Sequence, residues 1–284
     1  MSRRILIIGS SGLLGRALLR HVPADVVPLA PSQDDLPMED RAGLSRFYRE
    51  EAVDGLILAA AWTQVDACEE DPDRAYLVNG ILPGRAARMA DRLGLPVTFI
   101  STDYVFGGQA GRPYREFDPV DPQGVYARSK WHGECAVREV ASDHRIVRTS
   151  GLFGAGGPDF VQAILARLEQ GGANVVTDEV NSPTWVDHLA PALWQIALSE
   201  ESGTFHAAAG GAVSRFEMAC RIALWSGCDP ALVRPTTRAA FGRPAPRPGY
   251  SALNCQALRE IHGLSLPSWE EGLHGFLRAI GRAR

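Results

Sequence analysis

Three glycines, Gly9, Gly12 and Gly15, stand between a short apolar run, Ile5–Ile8, and an amphipathic stretch that ends at Arg20. A strand, a glycine-rich turn and a helix in direct succession open a doubly wound α/β sheet. The first glycine allows the tight turn. The second lets the main chain approach a pyrophosphate, and the third lets the helix pack close to the sheet. Free N–H groups and the helix dipole then favour the phosphates. Gly9, Ser11, Gly12, Leu13, Leu14 and Gly15 are therefore candidate dinucleotide-binding residues.

The next part of the chain repeats this alternation. Apolar runs at Val26–Leu29, Gly55–Ala59, Val97–Ser101 and Arg145–Arg148 read as strands covered on both faces. Helical stretches lie between them, among them Arg74–Leu93 and Tyr126–Glu139. The run Gly203–Ala208 is expected to add one more strand. From Gly151 the pattern loosens, glycine and proline cluster, and helices at Pro158–Gln170, Arg215–Ser226 and Trp269–Ile280 lack matching strands. The expected fold is α/β, a Rossmann-like doubly wound parallel sheet with a smaller C-terminal α/β substrate lobe. Residues 1–150 with about 185–212 form the dinucleotide-binding domain. Residues 151–184 and 213–284 form the substrate-binding lobe.

Bulk properties exclude several function classes. A net charge of −4 over 284 residues, with scattered basic residues, argues against a nucleic-acid or membrane surface. Five widely spaced cysteines, Cys68, Cys135, Cys220, Cys228 and Cys255, contain no CxxC pair. They read as reduced thiols of a cytoplasmic protein. No stretch has signal-peptide layout or transmembrane length. No His/Cys/Asp/Glu set has metal spacing, so no catalytic metal is expected.

The chemistry concentrates between residues 102 and 130. Tyr126 and Lys130, four apart, share one helix face. Such a pair arises by chance about once in a chain of this size. Thr102 gives it meaning, because it directly follows an apolar strand, and strand C-termini line the ligand crevice of such sheets. Reducing a ketone needs a hydride on carbon and a proton on oxygen. A nicotinamide supplies the first and Tyr126 the second. Lys130 is expected to lower the phenol pKa and to reach the nicotinamide ribose, and Thr102 to polarise the carbonyl. Cofactor choice depends on the turn after the second strand, where Ser32 and the neutral Gln33 precede Asp34 and Asp35. NADH or NADPH fits, and the acids weigh towards NADH.

With these residues in place, the chain resembles the dTDP-4-dehydrorhamnose reductase family of extended short-chain dehydrogenases. The resemblance runs through AAAWTQVDACEED, the asparagine of YLVNG (Asn79), STDYVF, YARSK, RTSGLFG, NSPTWVDHLA, RPGYSALNCQAL and LPSWEEGL. It implies reduction of the 4-keto group of a nucleotide-linked deoxysugar, with Thr102, Tyr126 and Lys130 as catalytic residues. It also implies that Ala60 and Ala61, with Ala59 at the strand end, lie along the cofactor. Thr63, Val65, Asp103, Tyr104 and Gly151 would line the sugar pocket. The reading allows a homodimer.

Three departures bear on specificity. Gly151 stands where the family carries a tryptophan that walls the sugar site. This vacates space unless Trp185 or Phe153 fills it, and it predicts a best substrate other than dTDP-4-dehydrorhamnose. Gln33 replaces a basic residue and Pro37 a downstream aspartate. The family's DQxGSPT segment reads Asp178-Glu179-Val180-Asn181-Ser182-Pro183-Thr184, and Glu179 is a poor neighbour for a diphosphate if it faces the site.

Other residues are read as follows. His132 falls off the catalytic face and is expected at the surface, and His206 in the core. Trp62 suits core or pocket equally. Arg112, Arg215, Arg243 and Arg247 suit a solvated surface or a substrate diphosphate, with Arg247 preferred. The competing functions are an epimerase or dehydratase on this fold and a non-catalytic dinucleotide-binding regulatory subunit.

Overall fold

A computed structural model describes residues 2–283. Its apolar runs pair as one six-stranded sheet. The strands are β1 (Arg3–Ile8), β2 (Val26–Leu29), β3 (Gly55–Leu58), β4 (Val97–Thr102), β5 (His144–Thr149) and β6 (Gly203–His206). Their order is β6-β5-β4-β3-β1-β2, and every neighbouring pair is parallel. Register is fixed at the centre by Ile5–Ile8 against Gly55–Leu58. β3 and β4 are buried throughout, because helices cover both faces. One face buries Leu14, Leu18, Leu189, Leu193 and Trp194. The other buries Leu44, Tyr48, Leu82 and Phe99. The chain leaves β1 to one side for β2 and returns on the other side for β3. That reversal opens a crevice at the strand C-termini.

The glycine turn forms for steric reasons. Gly9 has φ +93°, and a Cβ there would collide with the main chain at Ala60. A Cβ on Gly15 would collide with the Gly9 carbonyl. The helix Leu13–Arg20 that follows packs against Val186–Leu198, and Trp194 Nε1 donates to the Leu18 carbonyl at 3.0 Å.

The helix expected over Arg74–Leu93 is broken. An α-helical piece, Pro72–Tyr76, passes into a π turn, Leu77–Ile81, and then into Leu82–Asp91. Pro83 explains the break. In an unbroken α-helix its ring would strike the carbonyl of Asn79, and its missing N–H would leave that carbonyl unpaired. A π turn relieves both problems.

After β5 the chain builds a second lobe. Ala173–Val176 pairs in parallel with Val233–Thr236. Two short pairings join Leu152–Phe153 to Thr184–Trp185 and Val180–Asn181 to Val213–Ser214. Helices Arg215–Trp225 and Trp269–Ala279 begin with full capping boxes, Ser214 with Glu217 and Ser268 with Glu271. Phe153, Ile164, Leu165, Met218, Ile222 and Phe276 fill this lobe's core. Between the lobes the chain returns to the sheet through Val186–Leu198 and β6.

The helix Val125–Val140 is fastened to the sheet by a buried ion pair. Glu134 is 0% exposed. Its carboxylate takes Arg148 through Nε at 2.9 Å and Nη2 at 2.8 Å, Arg138 at 2.7 Å and Ser101 Oγ at 2.6 Å. Arg148 and its hydrogen bonds hold the carboxyl below the usual carboxylate range against the opposing effect of burial. Removing one partner strands the other in the core. Glu134→Ala should therefore cost about 3–5 kcal/mol in urea unfolding, and a loss under about 1 kcal/mol would show that the pair fastens nothing.

Candidate active site

The C-terminal ends of β1, β3, β4 and β5 open on one cleft of about 1540 Å³. The glycine turn forms one wall, with Gly9, Ser11, Gly12, Leu13, Leu14 and Gly15. Gly12 caps its helix without a side-chain hydrogen bond, so the first-turn N–H groups face the cleft free for phosphate oxygens. Ala59, Ala60, Ala61 and Thr63 follow from the end of β3, and Gln33 joins from beyond β2. Thr102, Asp103, Tyr126, Lys130 and Gly151 complete the opposite side. The side-chain-free N-cap at Gly12 and the tight main-chain turn that Gly9 and Gly15 permit fit a dinucleotide pyrophosphate.

A second cavity of about 870 Å³ continues from the first past Gly9, Ser11, Gln33, Ala60 and Ala61. Ser32 lies here, and so does Trp62, which is therefore a pocket residue. Asp35 accepts from its own turn, at 2.6 Å from Ser32 Oγ. Neither Asp34 nor Asp35 lines the cavity, whereas Glu39 and Arg74 do. The Arg74 guanidinium lies 4.6 Å over the Trp62 ring. Sequence spacing gave no sign of Arg74, because it comes from the helix after the third strand and not from the turn after the second.

Asn79 joins the loop after β3 to the tyrosine helix. Its Oδ1 accepts from Trp62 N at 2.8 Å, and its Nδ2 donates to Trp62 O at 3.1 Å and to Ser129 Oγ at 3.0 Å. One buried side chain thus fixes both the loop after β3 and the tyrosine helix.

Thr102 ends β4. Its hydroxyl donates to Asp103 Oδ1 at 3.2 Å and accepts from Tyr104 N at 3.2 Å. A hydroxyl has one proton, so Thr102 must rotate off Asp103 before it can donate to a carbonyl. Asp103 Oδ2 accepts from Ser150 Oγ at 2.8 Å and Ser251 Oγ at 2.5 Å. Burial pushes its carboxyl up, opposed by these hydrogen bonds. The aspartate therefore ties β4, the end of β5 and the second lobe together.

Burial pushes the Tyr126 phenol up, against the effect of its hydrogen bond with Thr102. The expectation that Lys130 lowers this phenol is not met in this arrangement. Lys130 Nζ donates instead to the Ile100 carbonyl at 2.7 Å and sits 4.1 Å over the Phe99 ring. Burial lowers its own pKa to about 7, with Glu134 opposing. A phenol is already protonated at neutral pH, and burial further disfavours the phenolate of Tyr126. Tyr104 meets Tyr126 edge-on, with ring centroids 6.0 Å apart.

The remaining candidates separate. Val65 begins the helix Val65–Glu70 outside the lining of the main cleft. Arg247 grips Asp66 with both Nη atoms at 2.8 Å, which commits its fork and joins the lobes. Glu179 is buried and paired with Arg243 at 3.0 Å, so its charge is neutralised locally. Arg112 pairs with Asp118 at 2.7 Å. Of the four candidate arginines, Arg215 alone has no ion-pair partner among the described residues, and it packs 4.8 Å over Phe160. Its charge acts to lower Asp103 and Tyr104. His132 is exposed. His206 is fully buried, with Nδ1 3.1 Å from Tyr114 O and 3.2 Å from Asn254 O, and burial lowers its pKa to about 3. Trp185 and Phe153 pack into the second lobe beside Phe276, so neither fills the space at Gly151.

The sequence profile of the RmlD substrate binding domain matches residues 3–281. The chain is 40% identical to dTDP-4-dehydrorhamnose reductase of Mycobacterium tuberculosis, over 98% of this chain and 93% of that protein. It is 36% identical to a probable dTDP-4,6-dihydroxy-2-methyloxan-3-one 4-ketoreductase of Streptomyces antibioticus, over 95% and 93%. The crystal structure of dTDP-4-dehydrorhamnose reductase from Bacillus anthracis in complex with NADP superposes with a TM-score of 0.94, at 32% identity, covering 98% of this chain and all of that one.

Lys130 sets a pH signature for the free protein. Its pKa falls from 10.5 unfolded to about 7 folded. Between those values the unfolded chain binds the extra proton, so stability at this site rises with pH. It is complete above the unfolded value and lost as pH falls through about 7. Lys130→Met removes the titration. The stability of the parent relative to this variant should grow from pH 7 to pH 9 in thermal melts, and a constant difference would contradict the buried-amine assignment.

Proposed function

The chain belongs to the RmlD substrate binding domain family of dTDP-4-dehydrorhamnose reductases, and from that premise we infer the following reaction. The enzyme reduces the 4-keto group of a nucleotide-linked deoxysugar with NADPH or NADH. The observation that carries this reading is the meeting of Thr102, Tyr126 and Lys130 with a glycine phosphate turn in one cleft.

The dinucleotide, when bound, supplies a hydride to the carbonyl carbon. Everything else falls to the chain. Tyr126 holds the proton that the carbonyl oxygen takes up, and Thr102, turned from Asp103, donates to the same oxygen. Lys130, with a pKa near neutrality, is poised to exchange a proton as the phenolate is recharged. Arg215, without an ion-pair partner among the described residues and within electrostatic reach of Tyr104, suits the substrate diphosphate better than Arg247. The epimerase and regulatory-subunit readings lose ground to the reductase relatives at 36–40% identity. Five free cysteines favour a reducing compartment, and we assign the enzyme to the cytoplasm. Among the described residues, no helix is long and apolar enough to cross a membrane.

Cofactor oxidation followed at 340 nm over a panel of 4-keto nucleotide sugars tests the reading directly. Tyr126→Phe should bind cofactor normally and lose roughly a hundredfold to ten-thousandfold in kcat. Turnover within a few fold of the parent would remove Tyr126 as the acid.

Arg74 changes the expectation for cofactor choice. It is the only cation lining the adenosine-side cavity among the described residues, and it stands ready for a 2′-phosphate that Gln33 cannot neutralise. Arg74→Met should raise KM for NADPH about tenfold or more, as loss of a charge-assisted contact predicts, and leave KM for NADH within about twofold. Equal effects on both cofactors would assign Arg74 to Trp62 alone.

A further inference from the structure

Gly151 lines the cleft with the left-handed φ of +53°. A Cβ there would sit 2.8 Å from Asn181 Nδ2 and 3.2 Å from Pro183 Cα. The Asn181 carboxamide therefore stands where a side chain of residue 151 would begin. With glycine at 151, only a Cα hydrogen covers the carboxamide at that point.

Asn181 is 5% exposed, and its Oδ1 has no hydrogen-bond partner among the described residues. Thr149, at the end of β5, is 5% exposed. Its Oγ1 also has no partner, and the residue lines the cleft. Asn181 thus turns its Nδ2 towards Gly151, while its Oδ1 and the Thr149 hydroxyl are buried without a partner among the described residues. Native interiors rarely leave such atoms unpaired without a use for them.

The surrounding main chain is well held. Ser182 N approaches Ser150 Oγ at 3.4 Å, and Thr184 N donates to the Gly151 carbonyl at 3.3 Å. Asn181 itself pairs with Val213 across the short antiparallel ladder. Position is fixed by the backbone, while the polar heads of Asn181 and Thr149 keep hydrogen-bonding capacity to spare.

We propose that Asn181 and Thr149 form a polar subsite that reads a free hydroxyl on the ring of the deoxysugar substrate. The proposal rests on the reductase reading above. Its content is specificity: the preferred substrate is a 4-keto-6-deoxyhexose that keeps the hydroxyl facing Gly151, and a sugar lacking that hydroxyl is rejected. Sites built to bond a hydroxyl discriminate strongly, because the analogue without it leaves their buried polar groups unpaired. An apolar wall at the same place would select by size, with far smaller ratios.

The test compares kcat/KM for a nucleotide-linked 4-keto-6-deoxyhexose with its 2-deoxy and 3-deoxy counterparts. The parent is expected to disfavour one deoxy sugar by about tenfold or more. Asn181→Leu, close in volume, should collapse that ratio to within about threefold while holding kcat/KM on the disfavoured sugar. Thr149→Val removes one hydroxyl with little change of shape, and it carries the same expectation if the leucine variant fails to fold. Variants that lower all three sugars equally, or that leave the ratio intact, overturn the subsite while the reductase function stands. A parent that reduces none of the three overturns that function, and the subsite with it.

Discussion

The carboxylate of Asp103 is the contact on which the site's geometry depends. It is buried at the end of β4 and accepts three hydroxyls, from Thr102, Ser150 and Ser251. Those three residues belong to the reacting strand, its neighbour and the second lobe. A carboxyl in such a place is tolerated only where hydrogen bonds replace water. The requirement to keep Asp103 satisfied therefore holds the three segments in register. The same bonds set what Thr102 can do, since its single proton goes to Asp103 until something better draws it away.

Burial governs the proton chemistry in the same way. The phenol of Tyr126 and the amine of Lys130 are both driven towards their neutral forms by loss of water. The sequence pattern suggested a simpler scheme in which a charged lysine lowers the tyrosine. In the structure, Lys130 satisfies the Ile100 carbonyl and the Phe99 face. Desolvation disfavours the phenolate, and the lysine comes within reach of neutral pH. Beneath them, Glu134 pairs with Arg148 of β5 and accepts from Ser101 of β4, which keeps the helix carrying both residues against the strand carrying Thr102.

The sheet was legible in the chain because its strands are short, apolar and parallel. Each therefore reads as a continuous run and not as an alternation. The glycine turn was legible because main-chain crowding at Gly9 and Gly15 admits nothing else. The broken helix at Leu77–Ile81 was not foreseen, although Pro83 held the clue, since its ring needs the space of the carbonyl four residues back. The site was readable where residues act through local spacing, as Tyr126 and Lys130 do. It was opaque where partners meet through tertiary folding. Nothing local distinguishes Arg247, bound to Asp66, from Arg215, which has no such partner. Arg74 reaches the second cavity beside Trp62 through the tertiary fold, and the unpaired head of Asn181 is visible only with Gly151 at its side.

The way Asn79 grips the loop after β3 has an evolutionary consequence. It holds residue 62 through that residue's main-chain N–H and carbonyl and takes no hold on the indole. The path of the loop is therefore independent of which side chain residue 62 carries. Mutation can exchange the ring for another surface, and so reshape the second cavity, without disturbing Ser129 or the helix that carries Tyr126. The shape of that cavity and the placing of the tyrosine helix are in this way separated at a single asparagine.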